Sequence, residues 1–233
     1  MNEQKLSKRL EKVAHFIKPQ SRIADIGSDH AYLPCYAVLQ GFASFAIAGE
    51  IADGPFHSAQ DQVEKTGLLA QISVRKGDGL QVLERSDEID TVVIAGMGGP
   101  LIASILENDE EKLAGVSRLI LQPNIAANRI REWGVRHQFK IVAEEIVEED
   151  RKIYEILVLE RSHVPVNYSE DELFFGPFLL KEKNAAFRSK WQHEQDTWKK
   201  ITENIEKQGK TSENELKLTE LRAQIKRVED VLK

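Results

Sequence analysis

Ile23–Pro34 reads IADIGSDHAYLP. A short apolar run, Ile23, Ala24 and Ile26, carries one acid, Asp25, and stops at Gly27. Ser28, Asp29 and His30 then lead into a second apolar segment with helical character. This is the profile of a first strand, a tight glycine turn and a helix start in an open α/β sheet, which binds its ligands at the carboxyl ends of the strands. Gly27 lets the backbone adopt a conformation closed to other residues and approach a ligand, and the helix start offers free N–H groups. A dinucleotide site calls for G-x-G-x-x-G, and here Asp29 stands where the second glycine belongs. A carboxylate at that point is a poor host for a pyrophosphate but suits a ligand with positive charge. The turn therefore leans towards S-adenosylmethionine, with its sulfonium and ammonium, and away from hydride transfer. A plain strand-turn-helix without a ligand is the alternative.

Working outward, the same pattern recurs. Phe45–Glu50 (FAIAGE) is a second strand ending in an acid, and Glu50 stands where such sheets place the carboxylate that accepts from a ribose diol. Asp53-Gly54-Pro55 opens a helix with Ala59, Val63 and Leu68 along its apolar side. Ile72–Lys76 is a third strand, followed by Gly77-Asp78-Gly79, where an acid between glycines is well placed to meet an adenine amino group. Thr91–Ala95 is a fourth, wholly apolar strand, followed by Gly96-Met97-Gly98-Gly99, where three glycines in four residues remove side chains at a point where something can approach the backbone, or else make a bare turn into the next helix. Arg118–Leu121 and Gln122-Pro123-Asn124 form a fifth strand and a rigid turn rich in amides, suited to reading a base edge. A helix then runs through Ile130 and Trp133 to Gly134. Phe139–Val147 and Ile153–Leu159 predict an antiparallel edge hairpin around the acidic turn at 148–152. Five strands alternating with helices, then a hairpin, make a doubly wound, mostly parallel α/β sheet with an antiparallel edge.

Before this core, Leu6, Leu10, Val13, Ala14 and Ile17 predict an amphipathic helix ending before Pro19. Its Lys5, Lys8, Arg9 and Lys12 are either a basic lip beside the site or a solvated face. After it, Arg161–Tyr168 is the expected linker, dividing a domain over 1–163 from one over 164–233. In the second part, Phe187, Trp191, Glu194, Trp198, Ile201, Ile205 and Gln208 step by 4 and 3, and beyond Gly209 so do Leu218, Leu221, Ile225, Val228 and Leu232. Two heptad seams predict an antiparallel helical coiled-coil hairpin, in which the tryptophans are core and Lys190, Lys199, Lys200, Lys226 and Arg227 lie on exposed faces.

The 233 residues, 41% hydrophobic, suffice for a proper core. The single cysteine, Cys35, excludes an internal disulfide framework and fits a reducing compartment. The sequence carries no membrane-length apolar run and the N-terminus lacks a signal-peptide core, so the expected location is cytoplasmic. The net charge of −6 does not advertise a nucleic-acid binder. From Val164 onward 13 basic and 13 acidic residues balance, so the whole excess sits on the first part. RNA binding would rest on local basic patches.

Taken together, LSKRLEKVAHFI, ADIGSDHAYLP, AGEI with the later GP, KGDGL, IAGMGG, LQPN and EEDRKIYEI resemble the bacterial tRNA adenine-22 N1-methyltransferases, in the expected order over residues 5–160. The resemblance implies a Rossmann-like class I methyltransferase domain with a coiled-coil appendage, S-adenosylmethionine as cofactor and tRNA as partner; no metal and no obligate protein partner are expected. It puts cofactor binding on Gly27, Ser28, Asp29 and His30 in the first loop. Glu50 and Ile51 take the ribose, Asp78 and Gly79 the adenine, and Ala95, Gly96, Met97, Gly98 and Gly99 flank the methionine part. Arg151 stands where a glycine is expected in the hairpin turn.

Adenine N1 is an in-plane lone pair, already nucleophilic, so geometry supplies much of the rate and the base must be unpaired and swung out. Enzymes that methylate the adenine amino group commonly carry Asp/Asn-Pro-Pro-aromatic after the fourth strand. Ala-Gly-Met-Gly-Gly in that place argues against amino-group methylation. The polar and stacking roles are then left to Asp29, His30 and Tyr32, to Asn124, or to Tyr154 on the hairpin, with Asp29 holding the adenine edge or the sulfonium. A metabolite methyltransferase and a non-catalytic RNA- or protein-binding module stay open as alternatives; a nicotinamide dehydrogenase is more distant.

Overall fold

The computed structural model describes residues 2–208 and 211–233. It forms two compact units, the first ending at Phe178 and the second running Leu179–Lys233.

The first unit is built on seven strands: β1 (Ser21–Ile26), β2 (Ala43–Glu50), β3 (Ile72–Lys76), β4 (Thr91–Met97), β5 (Arg118–Pro123), β6 (Phe139–Glu149) and β7 (Lys152–Arg161). They lie in the order β3-β2-β1-β4-β5-β7-β6. The first five are parallel, and β7 pairs antiparallel with both β5 and β6. The doubly wound sheet with an antiparallel edge is the architecture expected from the sequence. Five helices cover it: α1 (Lys8–His15), α2 (Tyr32–Leu39), α3 (Asp53–Lys65), α4 (Gly99–Asn108) and α5 (Asn128–Arg136).

The central strands read as continuous apolar runs because both faces are covered. Ala24, Ile47, Val92, Ile94, Leu119 and Leu121 belong to the core that holds Ile102 and Leu106 of α4 and Ile130 and Trp133 of α5. Their neighbours Ile23, Ala46, Ala48, Val93 and Ile120 belong to the core with Val13 of α1, Cys35 of α2 and Val63 of α3. Strand order reverses between β1 and β4, so a crevice opens above their carboxyl ends.

Several boundaries differ from the expected ones. β4 continues past Ala95 to Met97, with a register shift opposite β5 and Gly96 at φ +82°. That bulge, which glycine takes without strain, carries the strand into the glycine motif. α5 passes through Gly134 to Arg136, and the close approach of Leu159 and the Phe139 carbonyl leaves room for no side chain at Gly134. The β6–β7 turn is Asp150-Arg151, both at positive φ, +50° and +61°. This is the conformation a two-residue hairpin turn demands, adopted here without glycine.

The division into units falls after Phe178, not at 163. The Tyr168 hydroxyl accepts from Ile141 N at 2.9 Å, and Glu144 accepts from Phe178 N at 2.9 Å. Arg131, wholly buried, bonds Glu144 at 2.7 Å and Glu155 at 2.5 Å and also donates to the carbonyls of Leu173 and Phe174. These bonds tie 164–178, including α6 (Glu170–Phe175), to the first unit.

The second unit comprises α7 (Leu179–Glu182), α8 (Ala185–Gln208) and α9 (Ser212–Leu232). Gln195 Nε2 donates to Ile225 O at 3.3 Å and Arg188 to Leu232 O at 3.0 Å, so partners on α9 fall as positions on α8 rise, and the pair is antiparallel. Its buried line on α8 is Phe187, Trp191, Gln195, Thr202 and Ile205. Ile201, placed on the expected seam, is exposed. Polar Gln195 and Thr202 take part because each is hydrogen-bonded, Thr202 to Trp198 O at 2.8 Å. Gly209, where the sequence breaks the two helices, lies outside the described residues.

Candidate functional site

The strand register sets the site. Ile26 is level with Gly49 and with Ile94, Glu50 with Lys76, and Ala95 with Gln122. The loops after β1, β2, β3, β4 and β5 therefore leave one edge of the sheet. A cleft of about 320 Å³ opens there, lined by Arg9, Leu10, Asp25, Gly27, Ser28, Asp29, Tyr32, Leu33, Ala95, Gly96, Met97, Asn124 and Tyr154.

The first loop is strained and pinned. Gly27 has φ +71°, and Asp29, His30 and Ala31 follow at +45°, +72° and +53°. Three successive non-glycine residues in the left-handed region cost of order 1 kcal/mol each. The neighbouring strand holds them: Gly27 N and Ser28 N both donate to Gly49 O, at 2.9 and 3.3 Å, and Asp29 N donates to Glu50 Oε1 at 2.5 Å. A Cβ on Gly27 would run into the Met97 methyl, so the glycine also lets β1 and β4 loops close on one another. His30 stacks on Tyr32 with ring centroids 5.5 Å apart, and its Nε2 lies 3.5 Å from Asp29 Oδ1.

The floor is acidic. Asp25, 3% exposed, accepts from Ser28 Oγ at 2.7 Å. Burial pushes its carboxyl up to about 7, helped by Glu50 and Asp29 and opposed by the Ser28 bond and Arg9. Burial likewise raises Glu50, against the bond from Asp29 N.

A hydrogen-bonded network holds the Arg9, Gln122 and Asn124 side. Gln122, fully buried, accepts at Oε1 from Arg9 Nη1 and from Gly96 N, the latter at 3.0 Å. Its Nε2 donates to Pro123 O at 2.9 Å and to Asn124 Oδ1 at 3.3 Å. Asn124 Nδ2 donates to Gly96 O, and its backbone N to Met97 O, both at 2.7 Å. The Arg9 guanidinium lies 5.2 Å from the centre of the Tyr154 ring, and burial lowers its pKa against the pull of Tyr154, Glu149 and Asp25.

Of the residues singled out in the sequence, Gly27, Ser28, Asp29, Tyr32, Ala95, Gly96, Met97, Asn124 and Tyr154 line the cleft. Glu50 and His30 stand behind Asp29. Ile51 is exposed at the end of β2. Asp78 and Gly79 follow β3 farther along the same edge, Gly79 at φ +53° beside Ile105. Gly98 and Gly99 do not line the cleft; Gly99 N donates to Ile125 O at 2.9 Å, and the Ala126 carbonyl fills the space a Cβ would need. Gly99 thus serves close packing of α4 on the β5 loop.

Sequence reasoning left out Asp25, Leu10, Leu33 and Gln122 as site residues. An acid inside an apolar strand was the available signal for Asp25; Gln122 stands in the amide turn Gln122-Pro123-Asn124, of which only Asn124 is assigned a site role from sequence. Of the expected basic lip, Arg9 faces the cleft, whereas Lys12 pairs with Glu145 at 2.5 Å.

The donor set fits S-adenosylmethionine. Two acids and one cation line the cleft, which favours a ligand with net positive charge over a pyrophosphate. Glu50 spends one oxygen on Asp29 N. No helix is long and apolar enough to cross a membrane, and no group of three or more His, Cys, Asp or Glu could hold a metal, among the described residues.

Comparison with known proteins gives a match to the family model described as tRNA (adenine(22)-N(1))-methyltransferase over residues 23–230. A Bacillus subtilis (strain 168) protein named tRNA (adenine(22)-N(1))-methyltransferase is 52% identical, covering 100% of this chain and 99% of its own length. The solved structure of an uncharacterized protein from Listeria monocytogenes serotype 4b is 59% identical, with a TM-score of 0.95 over 98% of this chain and 100% of that one. A Streptococcus pneumoniae protein solved in complex with S-adenosyl-L-methionine is 43% identical, with a TM-score of 0.89 over the same shares, 98% and 100%.

Proposed function

The chain belongs to the tRNA (adenine(22)-N(1))-methyltransferase family, and from that premise we infer that the crevice above β1 and β4 is where it methylates N1 of an adenine in tRNA. The methyl donor is S-adenosylmethionine, the ligand of the related Streptococcus pneumoniae structure, and the target is position 22, as the family description states. The observation that carries the placement is the acidic, glycine-opened cleft at the point where strand order reverses.

When bound, S-adenosylmethionine supplies an electrophilic methyl group. The residues of the chain do the rest. Gly27, Ser28, Asp29 and His30 form the loop that receives it, Glu50 takes its ribose, with Ile51 alongside, and Asp78 and Gly79 meet its adenine. Ala95, Gly96 and Met97 form the backbone wall along the methionine part. Asp25 and Asp29 place negative charge beside the sulfonium and, after transfer, beside the cationic methylated base. The target adenine needs no base to free its N1, so the remaining task is position: Tyr32, stacked with His30, and Tyr154, under Arg9, offer ring faces, and Asn124 offers an amide to the base edge.

The helical pair of the second unit is assigned to tRNA binding. Exposed Lys200 and Lys226 and the size of the substrate support this. A cytoplasmic location follows from the tRNA substrate and the free thiol of Cys35.

The test is methyl transfer from labelled S-adenosylmethionine to unmodified bacterial tRNA, followed by nucleoside analysis and mapping. N1-methyladenosine at position 22 is expected. Label on another base, or none despite cofactor binding, would overturn the reading.

A further inference from the structure

We propose that Asn124 selects the target base by its N6/N7 edge, leaving N1 open to methylation, and that Gln122 is the positioning residue that fixes the Asn124 amide. The inference rests on the tRNA-adenine reading above and deepens it.

The Gln122 amide is saturated. Its oxygen accepts from Arg9 and Gly96 N, and its two N–H groups serve Pro123 O and Asn124 Oδ1. Being fully buried, it cannot turn over without breaking all four bonds. Its Nε2 therefore always faces Asn124, and Asn124 must answer with its oxygen. On the other side Asn124 Nδ2 is held by Gly96 O at 2.7 Å. Both ends of the exposed Asn124 amide are thus fixed, so oxygen and nitrogen cannot exchange places. Each end keeps one unused function among the described residues: a lone pair on Oδ1 and an N–H on Nδ2.

That remainder is an acceptor beside a donor, presented to the cleft. Adenine has the complementary pair, the N6–H donor and N7 acceptor, which amide side chains read bidentately. Reading the base through N1 would block the atom to be methylated, whereas the N6/N7 edge leaves it free. Guanine presents two acceptors, O6 and N7, on that edge. Against a fixed Oδ1, its O6 meets a lone pair, and an amide that cannot flip cannot relieve this. Arg9, contributed by α1, closes the circuit from 113 positions away in sequence.

The experiment uses the full chain and tRNA assembled by ligation with adenine or 7-deazaadenine at the target position, the latter carrying C–H in place of N7. Single-turnover methylation is measured for the natural protein, Asn124→Ala and Gln122→Glu. With the natural protein, 7-deazaadenine slows transfer about tenfold. Asn124→Ala slows transfer to adenine by a similar factor, with the KM for S-adenosylmethionine unchanged, and suffers no further loss with 7-deazaadenine. Gln122→Glu, which offers an acceptor where Asn124 requires a donor, also erases the 7-deaza penalty, an outcome that general loosening of the fold would not give. Should the buried glutamate prevent folding, exposed Asn124→Ala still decides the matter. A 7-deaza penalty that persists in full in Asn124→Ala, or none in the natural protein, would overturn the proposal. No transfer to adenine-bearing tRNA by the natural protein would overturn the reading on which it rests.

Discussion

Two places in the first unit take carboxylates out of water, and they are built in opposite ways. Beneath α5, Glu144 and Glu155 share Arg131, whose guanidinium also reaches two backbone carbonyls. Burial would depress the Arg131 pKa, but the two carboxylates more than offset it, and the group is raised. At the cleft, burial raises Asp25 and Glu50, the neighbouring Asp29 charge adds to both, and the nearby cation, Arg9, is spent on Gln122. The first cluster has its counter-charge from within the chain, although burial still outweighs Arg131 at Glu144 and raises it, and the cluster closes 164–178 onto the sheet. The second is left under-compensated, against the interest of stability, at the edge where the strands end. Negative charge that the fold does not neutralise for itself is the mark of a site awaiting a cation, and the sulfonium and ammonium of S-adenosylmethionine supply it.

The sharpest way to break this contrast is Arg131→Met. Two carboxylates would be stranded in the core, and the loss expected is about 3–5 kcal/mol, or roughly 10 °C in Tm. Thermal unfolding checks it, with the expectation that S-adenosylmethionine still binds below the transition. A loss no larger than that of a surface arginine would show the cluster is not compensated by Arg131.

Asp25→Asn should go the other way. An acid whose folded pKa stands at about 7, above an ordinary value of 3.8, holds an extra proton in the folded state between those limits. Folding stability therefore falls as pH rises through that window. The asparagine variant removes the slope and at pH 8 gains on the order of 2–4 kcal/mol, measured by denaturant unfolding of the ligand-free chain at pH 5 and pH 8. Equal slopes in both proteins would place the burden on another group.

The contrast also explains what the sequence could and could not disclose. Strands covered on both faces read as unbroken apolar runs, so the sheet, its reversal point and the glycine loops were legible, and with them most of the cleft. Asp25 was visible as an acid within such a run, without a sign that it reached the site. Arg131, Glu144 and Glu155 are spaced like the solvated charges of an amphipathic helix and a hairpin. Their meeting depends on tertiary packing, and so does the attachment of 164–178 that moved the boundary between units. Arg9 and Gln122 are a helix-surface cation and a strand-end amide until the fold joins them. On α8, Gln195 and Thr202 are buried only because each finds a hydrogen bond, a condition that hydrophobic spacing does not record.

The most direct test of the central claim is a calorimetric titration of S-adenosylmethionine into the natural chain and Asp25→Asn between pH 5.5 and 8.5. If the under-compensated acids make the cofactor site, affinity in the natural chain strengthens about tenfold as Asp25 ionises through pH 7. In Asp25→Asn it is weaker at pH 8 and nearly independent of pH. Parallel pH profiles of equal affinity would contradict the account and leave the buried acid without a part in holding the methyl donor.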